Sequence, residues 1–368
     1  MQKKQDEVYM QMALQLAEKG RGKTAPNPMV GAVIVKNGRV IGSGFHEYCG
    51  GPHAEVNAVA NATESVQGAT IYVTLEPCAH YGKTPPCTEL LLAQKPKRVV
   101  VGCLDPNPLV AGKGLLQLEQ AGIETVSGIL EDECRYLNRV FFHYITARRP
   151  YVVLKTAMTL DGKTATATGE SQWISGEQAR LDVHRLRSQY TGVMTGIGTI
   201  LQDDARLTCR IPGGKNPIRI VTDSRLRISP DANVLKEQQQ NQTIVAAVEG
   251  ANAAAAQRLE RLGVKVLYCG CGDRVDLNDL MEKLGALGVD SILLEGGATL
   301  NEAALRAGIV QEVVVYIAPK MVGGNSAATS VGGIGVAHLR QAYRLERMQT
   351  AFVGEDIKIT ALVRGTGE

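Results

Sequence analysis

The stretch HAEVNAVANATESVQGATIYVTLEPCAHYGKTPPC, residues 53–87, carries the strongest structural signal in the chain. Its first ten residues have the pattern of a helix, and ATIYVTLEPC from Ala69 predicts a strand that runs into a loop. Before it, MVGAVIVKNGRVIGSGF predicts two strands joined at Asn37-Gly38, a dipeptide typical of tight hairpin turns. Strand patterns and helical patterns alternate in this way along the chain. The sequence therefore predicts an α/β fold.

Four residues of that stretch form a chemical pattern: His53, Glu55, Cys78 and Cys87. His-x-Glu at the start of a helix, followed by Pro-Cys and a second Cys, is typical of zinc-dependent nucleobase deaminases. One imidazole and two thiolates give Zn²⁺ three ligands and leave its fourth tetrahedral position for water. Zinc lowers the pKa of such a water toward about 7, and Glu55 could carry its proton to the ring and the departing amine. The pattern predicts a catalytic zinc site.

Two other interpretations of the same residues stay open at this point. A closed zinc site that only stabilises the fold needs a fourth ligand, which Cys49 or His80 could supply. Alternatively, the histidine and the two cysteines are ordinary core or loop residues. Glu55 has no purpose in the closed site, because such a site needs no proton carrier.

The spacing of the two cysteines departs from the general deaminase pattern. Eight residues, AHYGKTPP, separate Cys78 from Cys87, whereas nucleic-acid and cytidine deaminases carry Cys-x-x-Cys. A loop that carries His80 and Lys83 is therefore expected beside the metal. A cation there could meet a negatively charged substrate, and a solvated loop lysine is the alternative.

Composition and charge exclude several classes of protein. Of 368 residues, 44% are hydrophobic and 21% are charged, which is too apolar for a disordered chain. A net charge of +3 is too small for a nucleic-acid coat or a membrane-surface protein, and no apolar stretch approaches the roughly 20 residues of a membrane helix. The N-terminus does not resemble a signal peptide. It predicts instead a helix with one apolar face, made of Val8, Tyr9, Met12, Ala13 and Leu16. We therefore expect a cytoplasmic protein that binds neither nucleic acid nor membranes.

The length predicts two domains, since one domain spans roughly 100–200 residues. Arg148-Arg149-Pro150 interrupts the pattern and YVVLKTAMTLDGK begins a new strand, so we place the domains at residues 1–147 and 148–368. Strands and helices alternate again in the second domain. The predicted strands include TGVMTGIGT at 191–199 and DIKITALVR from Asp356.

The second domain lacks a G-x-G-x-x-G, so it carries no ordinary dinucleotide-binding fingerprint. In SILLEGGATL a strand instead ends at Glu295 and a helix opens at Thr299, where backbone amides could bind a phosphate. A tight turn with Thr299 as helix cap is the alternative. Arg225 could favour a cofactor with an extra phosphate, or it is simply an exposed arginine.

Together these motifs resemble those of the bifunctional riboflavin-biosynthesis enzymes over nearly the whole chain. The N-terminal ones are NPMVG from Asn27, GSGFHEYCGGPHAE, TLEPCAHYGKTPPC and DPNPLVAGKG, and the long cysteine spacing is the family's own form. The resemblance implies a cytidine-deaminase-like three-layer domain. The roles that it implies are zinc ligands at His53, Cys78 and Cys87, catalysis at Glu55, and substrate contacts at Asn27, His46 and Lys83. From the residues alone, Asn27 could equally be a turn residue, because Asn-Pro favours turns.

The motifs KTAMTLDGK, SQWISG, RLDVHRLR, GIGTILQDDARLT, TDSRLR and LEGGATL resemble the family's reductase domain, which is similar in fold to dihydrofolate reductase. The resemblance implies NADPH contacts at Ala157, Trp173, Thr199, Asp203, Ser224, Gly297, Ala298, Thr299, Leu300, Asn301, Glu302 and Ala303. It implies substrate contacts at Ser171, Arg187, Leu207, Arg210 and Glu295. A guanidinium binds a phosphate through paired hydrogen bonds, so the two arginines suit a phosphorylated substrate. Trp173 could instead be a core anchor. Thr159 stands where the family has Ser.

The resemblance implies two reactions on a phosphorylated pyrimidine. The first is zinc-dependent hydrolysis of the 2-amino group of 2,5-diamino-6-(ribosylamino)-4(3H)-pyrimidinone 5′-phosphate. The second is NADPH-dependent reduction of the ribosyl group of 5-amino-6-(5-phosphoribosylamino)uracil to ribityl. We also expect a homo-oligomer, either a dimer or a tetramer. The rival interpretations are a tRNA or nucleotide deaminase with an appended domain, and a zinc-stabilised sensor of pyrimidine phosphates.

Overall fold

A computed structural model describes residues 2–81, 85–107 and 111–366. The chain divides between Arg148 and Arg149 into two compact units. Each unit is built around one sheet of its own. We refer to them below as the first unit and the second unit.

The described part of the first unit contains helices and strands in alternation. Its helices are α1 (Gln2–Ala17), α2 (Ala54–Ala60), α3 (Cys87–Gln94), α4 (Lys113–Gln120), α5 (Glu131–Leu137) and α6 (Arg139–Ala147). Its strands are β1 (Gly31–Lys36), β2 (Arg39–Phe45), β3 (Thr70–Leu75), β4 (Arg98–Cys103) and β5 (Glu124–Ser127).

These strands form a sheet in the order β2-β1-β3-β4-β5, antiparallel from β2 to β3 and parallel from β3 to β5. Side chains of α2, α3 and α4, with Leu91 and Leu118 among the most buried, pack on one face of the sheet. Side chains of α1, α5 and α6 pack on the other face. The predicted three-layer architecture is confirmed. The predicted hairpin is also present, with both Asn37 (φ 49°) and Gly38 (φ 74°) in the left-handed conformation that a tight turn requires.

The prediction for the apolar face of α1 was wrong in part. The helix buries Met10, Ala13, Leu14 and Ala17, whereas Val8 is 59% exposed. Apolar residues occur nearly all round this helix, so their spacing alone does not select a face. A buried ion pair determines which face of the helix packs on the sheet. The Asp6 carboxylate accepts hydrogen bonds of 2.8 Å from Arg98 and from Tyr72, both in the sheet.

The second unit is described from Arg149 to Thr366. Its helices are α7 (Glu177–Gln189), α8 (Ile197–Asp203), α9 (Ala253–Arg261), α10 (Leu277–Ala286) and α11 (Ala298–Arg306). Its strands are β6 (Tyr151–Thr159), β7 (Gly192–Gly196), β8 (Ile218–Thr222), β9 (Thr243–Ala247), β10 (Lys265–Tyr268), β11 (Ser291–Leu294), β12 (Val310–Ala318), β13 (Tyr343–Val353) and β14 (Asp356–Thr366).

Their order in the sheet is β10-β9-β8-β7-β11-β6-β12-β14-β13. The pairs from β10 to β12 are parallel, and the last two, β12 with β14 and β14 with β13, are antiparallel. Apolar side chains of α10 and α11, such as Leu280 and Ala304, are buried against the strands. The carboxyl ends of the parallel strands therefore share one edge, where loops can assemble a site.

Two elements of this sheet differ from the sequence prediction. The strand expected over 191–199 ends at Gly196, and the next residues turn into α8. Strand β13 was not predicted, because YRLERMQTAFV shows no alternation of apolar and polar residues. It lies at the sheet edge and nearly all of its side chains are exposed. Because neither face of the strand is buried, its sequence need not alternate between apolar and polar residues. Within the described part of the chain, no helix is long and apolar enough to cross a membrane.

Candidate functional site

The predicted zinc ligands come together in the first unit. His53 immediately precedes α2, Cys78 follows β3 in a loop, and Cys87 opens α3. The His53 Nδ1 atom lies 3.2 Å from the Cys87 Sγ and 3.6 Å from the Cys78 Sγ. Tetrahedral Zn²⁺ with usual bond lengths spaces such atoms by roughly 3.5–3.8 Å. The donor set and its spacing therefore fit a zinc ion.

The cluster contains three ligands rather than four. All three donor atoms lie within 4.8 Å of one another, and in the described residues no further His, Cys, Asp or Glu completes the set. Cys49 and His80 line the neighbouring pocket without joining the cluster. The closed structural site is therefore not what these residues form, since its fourth protein ligand is lacking among them.

The two thiols of the cluster lie close enough to influence each other's ionisation. Hydrogen bonding from Cys87 lowers the pKa of Cys78, and the same contact raises the pKa of Cys87. The Cys87 backbone N–H also donates to the Cys78 Sγ at 3.2 Å. Metal binding needs both thiolates, so binding of a dication would release the thiol protons.

Glu55 lies in the first turn of α2, two residues after the histidine ligand, and only 4% of it is exposed. It lines the same pocket as His53 and Cys78, a cavity of about 360 Å³. Burial raises the pKa of its carboxyl group. The helix thus places a metal ligand and a proton-transfer group side by side at the wall of one cavity.

Asn27 and His46 also line this pocket, as predicted for the base-binding residues. The His46 Nδ1 faces the Pro52 carbonyl at 3.0 Å, so this nitrogen donates, and the other ring nitrogen lies 3.3 Å from the Asn27 amide nitrogen. Burial lowers the pKa of His46, which agrees with the neutral ring that this arrangement needs. The imidazole thereby orients the Asn27 amide. Lys83 lies outside the described residues.

Three polar side chains that line this pocket were not assigned a role from the sequence: Glu76, Asp105 and Asn107. The Glu76 carboxylate accepts backbone hydrogen bonds from Asp105, Gly112 and Gly114, at 3.3, 2.9 and 3.0 Å. It thereby holds the segment after β4 against the pocket. Their position in the sequence could have identified them. DPNP follows strand β4, and the loop after the neighbouring strand β3 carries the candidate zinc ligand Cys78.

In the second unit, Glu295 follows β11 and lies between two cations. The Arg187 Nε and Nη2 atoms donate to its two carboxylate oxygens at 2.6 and 3.0 Å, and the Lys155 Nζ lies 3.4 Å away. Burial alone would raise the pKa of Glu295, but the charges of Arg187 and Lys155 lower it to about 2. Lys155 on β6 was not assigned from the sequence, although it belongs to the quoted KTAMTLDGK.

This arrangement changes the expectation for Arg187. Its guanidinium fork faces Glu295, and its Nη1 donates to the Thr208 carbonyl beside Leu207. It is therefore not free for a two-pronged grip on a phosphate. Arg210 is exposed and lies 3.3 Å from the His184 ring, whose pKa burial and the adjacent arginines lower to about 4. Ser171 is half-buried in the segment before α7.

A second cavity of about 820 Å³ lies at the carboxyl edge of the parallel strands. Of the predicted cofactor contacts, it is lined by Thr199, Ser224, Gly297, Ala298, Thr299, Leu300 and Ala303. Gly297 is the N-cap of α11, so the free amides of that helix end open into the cavity. Such a helix end attracts a phosphate. The residues thus fit a phosphorylated dinucleotide.

The other predicted cofactor residues do not line this cavity. Ala157 is on β6, the exposed Trp173 stacks with Arg180, and Asp203 ends α8. Asn301 is 1% exposed and donates to the Ser330 carbonyl, and Glu302 pairs with Arg306. In α11 the predicted contacts thus separate into residues that line the cavity and residues that face away from it, since a helix turns 100° per residue.

Two family models match the chain. Residues 3–103 match the cytidine and deoxycytidylate deaminase zinc-binding region, and residues 150–359 match the RibD C-terminal domain. The riboflavin biosynthesis protein RibD of Actinobacillus pleuropneumoniae is 50% identical over 356 residues, which cover 96% of this chain and 94% of the relative. The chain belongs to the RibD family.

Solved RibD structures share the fold over the full length. RibD of Acinetobacter baumannii is 41% identical, with a TM-score of 0.87 and coverage of 98% of this chain and 99% of that one. A Thermotoga maritima structure, named a diaminohydroxyphosphoribosylaminopyrimidine deaminase and 5-amino-6-(5-phosphoribosylamino)uracil reductase, is 35% identical. Its TM-score is 0.86, with coverage of 99% of this chain and 100% of that one.

These likenesses decide between the interpretations that the sequence left open. The predicted fold class is confirmed, as is the combination of a zinc-dependent deaminase with an NADPH-dependent reductase in one RibD chain. A tRNA or nucleotide deaminase with an appended domain is excluded, because single RibD chains match both units over nearly their full length.

Proposed function

We propose that this RibD chain carries out two consecutive steps of riboflavin biosynthesis. The first unit deaminates 2,5-diamino-6-(ribosylamino)-4(3H)-pyrimidinone 5′-phosphate, and the second reduces the ribosyl group of 5-amino-6-(5-phosphoribosylamino)uracil to ribityl. The cluster of His53, Cys78 and Cys87 with Glu55 in one pocket is the observation that carries the proposal. The activities in the name of the Thermotoga relative support it.

In the first unit, His53, Cys78 and Cys87 would hold the zinc. When bound, zinc supplies a Lewis acid at the position that these three ligands leave open. Glu55 would take a proton from the attacking water at a carboxylate oxygen and deliver it to the ring nitrogen. A second proton, from the hydroxyl group added to the ring carbon, would pass through the same carboxylate to the amine, which leaves as ammonia. Asn27, held by His46, binds the base. We retain Lys83 as the predicted contact to the substrate's negative charge.

In the second unit, the residues around the cavity would hold NADPH, with a phosphate at the N-terminus of α11. When bound, NADPH supplies the hydride that reduces the ribosyl C1′. Arg187 and Lys155 keep Glu295 ionised, so its carboxylate can accept hydrogen bonds from sugar hydroxyls. The exposed Arg210 is the better placed of the two predicted arginines for the substrate phosphate, with Ser171 and Leu207 as further contacts.

The two steps can be separated by their cofactors. We expect the purified, zinc-loaded chain to convert the diaminopyrimidine substrate to the deaminated product without NADPH. With NADPH, we expect the deaminated and reduced product. Mass spectrometry distinguishes these, because the first step replaces an amino group by oxygen and the second adds two hydrogens. No change in either condition, from folded protein with zinc bound, would overturn the assigned substrate.

We further propose that the chain forms a homo-oligomer through β13. Among the strands of the described residues, β13 pairs with β14 alone, so its outer edge presents backbone groups without a strand partner there. It also exposes large apolar side chains: Met348 is 65% exposed and Phe352 is 80% exposed. An edge of 11 residues that combines both features is suited to a second copy. The cytoplasmic location stays a prediction.

The oligomer is testable by light scattering. We expect the wild-type particle to have at least twice the mass of one chain, and M348D/F352D to dissociate because two charges would enter an apolar contact. V8D, at an exposed apolar residue of α1, serves as the control and keeps the wild-type mass. A monomeric wild type, or an unchanged mass for the double variant, contradicts the proposal.

A further inference from the structure

The loop that carries Arg210 is bound to α7 by several hydrogen bonds. The Arg187 Nη1 donates to the Thr208 carbonyl at 3.1 Å, and the Cys209 thiol donates to the His184 carbonyl at 3.3 Å. The Arg210 Nε donates to the His184 Nε2 at 3.3 Å. His184 therefore contacts two successive residues of the loop, one through its backbone and the other through its ring.

Arg210 is exposed and lies near other cations. Burial and the charges of Arg187 and Arg206 lower its pKa, whereas Glu295 raises it. Within the part of the chain that the structure describes, Arg210 forms no ion pair with a carboxylate. A long side chain without an ion-pair partner has many accessible rotamers, so the hydrogen bond to His184 is the contact that restricts the orientation of this guanidinium.

The contact requires a neutral His184 ring, because an Nε2 atom that carries a proton cannot accept a hydrogen bond from the Arg210 Nε. Burial and the charges of Arg187 and Arg210 lower the pKa of His184 to about 4. The ring is therefore neutral near neutral pH, with its proton on Nδ1. The same arginines that would attract a phosphate thus keep the ring in the form that accepts from Arg210.

The contact uses one edge of the guanidinium and leaves its end available. Among the described residues, the Nε is the only atom of Arg210 with a hydrogen-bond partner. The two Nη groups therefore keep their N–H donors. A phosphate can bind both Nη groups at once through paired, charge-assisted hydrogen bonds. The histidine thus fixes the guanidinium through the one donor that this mode of phosphate binding does not need.

We propose that His184 is a positioning residue of the reductase site, which holds the Arg210 guanidinium with its two Nη groups directed to the phosphate of the substrate. The inference rests on the proposed reductase function, in which Arg210 binds that phosphate, and it adds the residue that orients Arg210. His184 acts through Arg210 and needs no contact of its own with the substrate. Its loss should therefore weaken substrate binding and leave the hydride-transfer step unchanged.

The test compares two variants of the full chain, H184F, which has a ring without an acceptor, and H184Q, whose side-chain oxygen can still accept. We expect H184F to raise KM for 5-amino-6-(5-phosphoribosylamino)uracil by about 5–10-fold, the contribution of one hydrogen bond, with kcat and KM for NADPH unchanged. H184Q should keep KM close to the wild-type value. R185A is the matched control, because it removes an exposed cation from the next position of α7, and it should leave all three constants unchanged.

A double-mutant cycle shows whether His184 acts through Arg210. R210A should raise KM for the same substrate at least as much as H184F does, and H184F should add nothing further in the R210A background. The proposal is overturned if H184F leaves KM unchanged, if H184F acts on R210A as strongly as on wild type, or if H184Q behaves like H184F. An R210A variant with wild-type KM also overturns it.

Failure of the proposed function gives a different result. If the wild-type chain reduces no substrate, the reductase function is wrong. The same cycle is then measured without turnover, as the affinity for ribose 5-phosphate by calorimetry. Weaker binding in H184F and in R210A, without a further loss in the double variant, supports the positioning role, and equal binding in all variants overturns it.

Discussion

Replacement of Glu55 by Gln is expected to lower kcat/KM for deamination by about 10²–10⁴-fold, the usual contribution of a positioned acid and base. Gln has nearly the same shape as Glu, but its side-chain amide does not accept a proton near neutral pH. Because Glu55 is not one of the three clustered ligands, the zinc content should stay at the wild-type level. Product formation without NADPH measures the effect, and elemental analysis measures the zinc.

The control for this variant is E64Q, which removes a carboxylate from an exposed ion pair in the same unit. It should deaminate as wild type does. The reductase activity of E55Q on the deaminated intermediate should also be unchanged, since Glu55 lies in the other unit. Survival of deamination in zinc-loaded E55Q contradicts the assignment of Glu55 as the proton carrier.

Replacement of Glu295 by Gln is expected to destabilise the second unit by about 3–5 kcal/mol, the cost of leaving buried charges without their partner. Its carboxylate is 11% exposed and binds Arg187 and Lys155. A Gln side chain has one acceptor oxygen, and its NH2 group would face the N–H donors of Arg187 or Lys155 without forming a hydrogen bond. Reductase turnover should fall as well. Denaturation of the full chain, followed through the transition of the second unit, measures the loss.

The same pair predicts a pH dependence. The pKa of Glu295 is lowered from 4.5 to about 2 in the folded chain, so the unfolded chain binds the proton more readily. The stabilisation is complete above about pH 4.5 and is lost as the pH falls toward 2. E295Q should lack this part of the acid dependence. E282Q, which breaks an exposed pair with Arg149, is the control, and an equal effect in both variants would contradict the argument.

Much of the first unit could be predicted because its signals are local. The hairpin at Asn37-Gly38 depends on two adjacent residues, and the spacing of His53 and Glu55 depends on one helix turn. The same applies to the helix after Glu295, where a strand, two glycines and a helix start follow one another. Dihedral preferences and periodicity act over a few residues, and these are the forces that a sequence displays directly.

Partners distant in the chain could not be read in the same way. Arg187 was predicted to grip a substrate phosphate, yet its fork binds Glu295, which is 108 residues away. The sequence analysis included Glu76 in a motif without a role, although its carboxylate accepts a hydrogen bond from the backbone of Gly114, 38 residues away. Which charged or polar groups pair with each other depends on the packing of the whole unit, so no local sequence pattern predicts the pairing.

The sequence alone therefore predicted the fold class, the three residues that cluster as candidate zinc ligands, the glutamate beside them and the helix after Glu295. Local propensity and ligand chemistry specify each of these. Only the tertiary structure decided which face of α1 is buried, that the cluster of candidate zinc ligands has no fourth member among the described residues, and that Arg187 binds Glu295. These depend on which elements pack together, because burial and charge pairing are properties of neighbours in space.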